Sequence, residues 1–145
     1  MDIYRIADEP IDVIAALAAI ADPKAGGQAV FLGTVRDHFD GVASRGLFYE
    51  AYRQLAEKEM TRIGAELKQE FGVLHVVMIH RVGELALTET AVLVAISSGH
   101  RHEAIEACHA GIDRIKSRAP IWKKERWASG LSQWHHEANS SETPL

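Results

Sequence analysis

Four cations fall within the ten residues from Lys116 to Glu125, in the run Lys-Ser-Arg-Ala-Pro-Ile-Trp-Lys-Lys-Glu. Cations this close together can hold a phosphate or a carboxylate. A lysine among them whose charge is disfavoured can also move a proton or attack an acyl carbon. Pro120 cannot continue a helix and pushes Ala119 away from helical dihedrals, so a helix arriving from the N-terminal side ends here and an extended segment begins. Lys116 and Lys123 therefore flank a corner.

The upstream residues say where Lys116 points. From His102 to Arg118 the apolar positions Ile105, Cys108, Ile112 and Ile115 recur at three- and four-residue spacing, which predicts one buried helical face. At about 100° per residue, Lys116 falls at the margin of that face. A lysine there is partly stripped of water, and this lowers its pKa from the ordinary value of about 10.4. On the residues alone the ordinary reading of a last-turn lysine comes first, in which the side chain reaches water and complements the negative end of the helix dipole.

More cations stand at the ends of apolar runs. Gln28 to Val35 reads as a largely buried strand with Arg36 at its end. Ala91 to Ser97 reads as another, running through Ser98-Gly99-His100-Arg101 into the helix. A strand-to-helix turn with small residues and free backbone N–H groups favours anions, and His100 and Arg101 reinforce it. Arg36, His100, Arg101, Lys116 and Lys123 are thus expected to form one cationic pocket, the alternative being solvated surface charges.

The elements that would position these groups follow in order. Asp8-Glu9-Pro10 reads as the start of an alanine-rich helix with Ile11, Ile14, Leu17 and Ala18 on one face. The polar stretch 37–46, interrupted by Phe39, reads as a mobile loop, and Leu47 to Tyr52 as a strand with Leu47, Tyr49 and Ala51 on one side. Glu50 lies on the other side, between aromatics, and is expected to pair with an arginine. Arg53 to Phe71 has helical period and ends at Gly72, while Val73 to His80 is too continuously apolar for a one-sided strand. A short segment, Glu84 to Leu87, follows it. Ile121 to Trp127 and Leu131 to His135 form a C-terminal hairpin around Ser129-Gly130, ahead of a polar tail, 139–145.

Composition bounds the function. The chain has 145 residues, 47% of them apolar and 25% charged, with a net charge of -4. That is one domain, assigned to 1–138, long enough for a real core. No apolar run approaches membrane-spanning length and no signal segment is legible, so a cytoplasmic protein without membrane contact is expected. The acidic total and the lack of a basic-aromatic motif argue against nucleic acid as a partner. Eight histidines invite a metal, yet no His-Glu-x-x-His is present, and one cysteine cannot make a cysteine-based zinc site. No metal and no cofactor are expected. There is no nucleophile elbow, P-loop or dinucleotide fingerprint either. The chemistry left is that of lysine, arginine and histidine acting on an anion.

Five ordered motifs carry a resemblance: Phe31-Leu32-Gly33-Thr34-Val35-Arg36, Leu47 to Tyr52, His80-Arg81-Val82-Gly83-Glu84-Leu85, Ser98-Gly99-His100-Arg101, and Lys116 to Glu125. Together with Gly130 and Trp134 they resemble the MoaE family, the catalytic, large subunit of molybdopterin synthase, over nearly the whole chain. The resemblance implies a single-domain α+β fold of the α/β-hammerhead type, with mixed and antiparallel strands and helices packed on the sheet. It also implies a homodimer within a heterotetramer that includes two copies of a small ubiquitin-like sulfur carrier. The carrier's C-terminal Gly-Gly thiocarboxylate would enter a pocket and give sulfur twice to cyclic pyranopterin monophosphate, forming the dithiolene of molybdopterin. The family's catalytic lysines map onto Lys116 and Lys123. Its substrate-pocket residues map onto Arg36, His100 and Arg101, with Thr34, Val35, Lys124 and Glu125 beside them. Two positions depart from the family pattern, Ser44 for an apolar residue and Ser129 for an aspartate, and neither is expected to touch the catalytic groups. The alternative is a non-catalytic module that uses the same corner to bind an acidic or phosphorylated ligand or a carrier-protein tail.

Overall fold

In a computed structural model the chain is described over residues 1–130 and 132–136; the polar tail at 139–145 lies outside them. The elements are β1 (Ile3–Ala7), α1 (Val13–Ile20), β2 (Gly27–Thr34), β3 (His38–Phe39), β4 (Val42–Ala51) and α2 (Arg53–Phe71). They continue with β5 (His75–Arg81), β6 (Gly83–Leu85), β7 (Thr90–Ser98), α3 (Arg101–Arg118), β8 (Ile121–Trp127) and β9 (Ser132–His136). The class is α+β, as the resemblance implied.

Strands β5 and β7 have no polar face, so they need cover on both sides. They pair antiparallel at the middle of a sheet ordered β1-β5-β7-β2. Val77, Ile79, Leu93 and Ala95 face α1 through Ala16 and Ile20. Val76, Met78, Val92, Val94 and Ile96 belong to the larger core, with Met60, Ile63 and Leu67 of α2 and Ile112 and Ile115 of α3. Each such side chain, fully buried, contributes roughly 1.5–3 kcal/mol of transfer free energy. A second sheet, β3-β4-β8-β9 with β6 paired to β4, shares the larger core through Leu47, Tyr49, Leu85 and Ile121 and ends in the expected hairpin.

Several expectations are corrected. The N-cap of α1 is Asp12, whose carboxylate accepts from the Ala15 N–H at 3.0 Å, rather than the Asp8–Pro10 segment. Its buried face is Ala16 and Ile20, while Ile14 is exposed. Residues 37–46 are mostly ordered into β3 and the start of β4, paired through His38–Ala43 and Phe39–Val42, because buried Phe39 anchors them. The buried face of α3 is Ala104, Ala107, Cys108, Gly111, Ile112 and Ile115, with Ile105 59% exposed. Strand β2 is an edge strand, with Val30, Phe31 and Leu32 each about two-fifths exposed. Glu50 is exposed as well. Among the described residues no helix is long and apolar enough to cross a membrane.

Candidate active site

The end of β2, the β3-β4 hairpin, the last turns of α3 and the inner face of β8 enclose a cleft of about 330 Å3. Thr34 and Arg36 line it from the first, His38, Phe39 and Tyr49 from the second, Lys116 from α3, and Lys123 and Glu125 from β8. Val35, between Thr34 and Arg36, is buried and points away. Its N–H donates to the Glu89 carbonyl at 3.0 Å and its own carbonyl accepts from the Thr88 N–H at 2.8 Å, which fixes the backbone on either side.

Strand alternation decides what β8 contributes. Ile121, Lys123, Glu125 and Trp127 are buried, while Trp122, Lys124 and Arg126 are half-buried on the other face. Lys123 is only 6% exposed, and its Nζ lies 4.9 Å from the centre of the Phe39 ring, so the ring face offsets part of the desolvation of the charge. Lys124 turns the opposite way, with its Nζ 6.0 Å from the Phe48 ring and 4.9 Å from that of Trp134. It lines the back of the strand, not the cleft.

Glu125 is 4% exposed, and burial holds its carboxyl above the ordinary range against the opposing pull of Ser44, Lys123 and Arg36. Its Oε2 accepts from the Ser44 hydroxyl at 2.5 Å. Ser44 was not singled out as a partner of Glu125, and a β-bulge explains why it is one. The pairing runs Ser44 to Trp127 and then Leu47 to Glu125, so β4 carries one extra residue and the inward parity of Leu47 is handed to Ser44. Gly46 occupies the bulge at φ 147°, where an added Cβ would stand 2.5 Å from the Leu85 carbonyl oxygen.

Tyr49 is held from behind. The His80 ring packs edge-on against it at 4.7 Å, and His80 Nδ1 lies 2.7 Å from the Arg81 carbonyl oxygen, to which the protonated nitrogen donates. Arg81 in turn pairs with Glu89. The His80-Arg81 motif therefore supports the cleft wall without lining it.

The other expected cations lie elsewhere. His100 caps α3 at its N-terminus and, with Arg101, His102, Ile105 and Glu106, borders a separate depression. Arg101 and Lys116 stand at opposite ends of one helix, about 22 Å apart at 1.5 Å per residue. One copy of the chain brings together Arg36, Lys116 and Lys123, and leaves His100 and Arg101 outside. His38, Phe39 and Tyr49 line the cleft without having been singled out for it; an aromatic inside a polar stretch was the available signal.

Half-buried Lys116 also borders an apolar groove with Ala29, Phe31, Ile105, Cys108 and Ile112. Burial pushes the Cys108 thiol up to about 11, and its Sγ donates to the Val94 carbonyl at 3.6 Å. At neutral pH that sulfur is a packed thiol, not a nucleophile.

A family model described as MoaE protein matches residues 6–118. The chain is 38% identical over 131 residues to the molybdopterin synthase catalytic subunit of Thermoplasma volcanium, covering 90% of this chain and 96% of that one. Relatives of the same name from Drosophila species are longer, and the chain spans 39% of their length. Among solved structures, molybdopterin synthase from Staphylococcus aureus superposes with a TM-score of 0.86 at 39% identity, over 91% of this chain and 96% of that chain. A complex of subunits 1 and 2 of molybdopterin-converting factor from Helicobacter pylori shares the fold at a TM-score of 0.73 and 24% identity, over 90% and 88%.

Proposed function

The chain belongs to the MoaE family of molybdopterin synthase catalytic subunits, and from that premise we propose that it transfers sulfur to cyclic pyranopterin monophosphate. The sulfur comes from the C-terminal thiocarboxylate of a small ubiquitin-like carrier ending in Gly-Gly, and two transfers build the dithiolene. The observation that carries this reading is the cleft itself, where Arg36, Lys116 and Lys123 converge beside a buried carboxylate. A phosphate-bearing substrate and a thiocarboxylate are both anions, and cations in a partly desolvated cleft attract them far more strongly than the same charges in water. Arg36 and Lys123 hold the anionic groups. Lys116, at the wall shared by cleft and groove, moves the proton that sulfur addition displaces.

The buried Cys108 supports an external sulfur source. Cys108→Ala is expected to keep its turnover, and iodoacetamide is expected to modify the native thiol far more slowly than the unfolded one, as mass spectrometry would record. A Cys108→Ala protein that lost sulfur transfer while remaining folded would move the sulfur source onto this chain.

The assembly we propose is a homodimer flanked by two carriers. Exposed Val30, Phe31 and Leu32 on an edge strand, next to exposed Ile105, are what a face covered by a second copy looks like. A second copy is also the way His100 and Arg101 could reach a cleft that their own helix holds them away from. The reading is tested by single-turnover mixing with thiocarboxylated carrier and cyclic pyranopterin monophosphate, following dithiolene product. Product formed in one turnover supports it. A folded, carrier-binding protein that makes none is a binding module instead.

A further inference from the structure

The buried hydroxyl of Ser44 has one proton and three polar neighbours. Its Oγ lies 2.5 Å from Glu125 Oε2, 3.1 Å from the Gly46 carbonyl oxygen and 3.3 Å from the Gly46 nitrogen. The Gly46 N–H can only donate to it, so the hydroxyl proton goes either to Glu125 or to the Gly46 carbonyl. With Glu125 ionised, the hydroxyl donates to the carboxylate. With Glu125 protonated, the carboxyl donates to the hydroxyl, which turns to the carbonyl. In either arrangement the Ser44 oxygen stays bonded to the carboxyl group, so the bulge accommodates Glu125 in both protonation states and holds its oxygen in one place.

We propose that Ser44 is a positioning residue for the cleft, holding the buried Glu125 carboxylate in front of Lys123 and Arg36 so that Glu125 stores or releases a proton during turnover. The inference rests on the sulfur-transfer reading above. The titratable groups that line the cleft with Glu125 are Arg36, His38, Tyr49, Lys116 and Lys123, from the β2 end, β3, β4, α3 and β8. Lys123 and Arg36 favour the carboxylate, burial favours the acid, and the Ser44 hydrogen bond adds to the carboxylate side. Burial outweighs the other three and already holds the carboxyl above its ordinary range, so deleting a hydrogen bond to its charged form moves it further the same way. The Glu125 titration should move upward by about one pH unit without it.

The test uses the full chain carrying 13C-carboxyl-labelled glutamate, in wild type, Ser44→Ala and Ser44→Thr, with Glu125→Gln identifying the resonance. Expected is a Glu125 midpoint about one pH unit higher in Ser44→Ala and restored in Ser44→Thr. The acidic limb of the single-turnover pH profile should move by the same amount in Ser44→Ala and vanish in Glu125→Gln. An unchanged midpoint in folded Ser44→Ala overturns the proposal, and so does a rate loss that is uniform across pH. Should Ser44→Ala not fold, an acidic limb that survives in Glu125→Gln overturns it. A midpoint shifted in Ser44→Ala, beside a wild-type protein that makes no product, would uphold the Ser44–Glu125 coupling and reject the sulfur-transfer reading instead.

Discussion

Lys116→Ala is expected to yield a folded protein that still docks the sulfur carrier but forms product at least about a hundredfold more slowly, the scale of a lost positioned acid or base. The lysine is half-buried in the last turns of α3, and alanine is the best helix former, so truncation neither empties the core nor breaks the helix. What disappears is the one amine among the described residues that borders both the cleft and the groove. Single-turnover assay of wild type and variant side by side, with carrier binding measured separately, checks it. A Lys116→Ala protein with full activity would remove the residue from the mechanism.

Ile115→Ala, one position earlier, should do the reverse. Ile115 is 1% exposed and packs in the core that joins both sheets to α2 and α3. Cutting it back removes transfer free energy and leaves a cavity, together about 2–5 kcal/mol. Against a total stability of about 5–15 kcal/mol this is a large share. Urea unfolding should show a lower midpoint with an unchanged slope. Conditions that keep the variant folded should leave much of the chemistry intact, since no polar group of the cleft is touched. A midpoint within a few tenths molar of wild type would show that the neighbouring side chains close the gap.

Most of the framework was legible because its signals are local. The two-sided apolar runs of β5 and β7, the helical period of α2 and the Pro120 corner each follow from a few adjacent residues. Strand β1 was not read, since five residues including Arg5 gain their place only by pairing in parallel with β5. Arg36, Lys116 and Lys123, grouped by their positions at element ends, line one cleft. His100 and Arg101 stand at the other end of α3 from Lys116, a distance that the length of the helix already carried. Ser44 was out of reach for another reason. A bulge reverses which side chains face inward, and parity counted back from Leu47 puts Ser44 on the wrong side.

The order in which the chain is synthesised gives the sheet pairings a further meaning. Ile3 waits for Val77, and Ala51 for Ile121, partners about seventy residues downstream. Pairings that distant are slow to close, and at ~5–20 residues per second a ribosome leaves the early strand without its partner for several seconds. The cleft comes later still, because Lys123 and Glu125 arrive on β8 after both large helices have been made. A nascent chain thus has most of its hydrophobic core available before its cleft is complete.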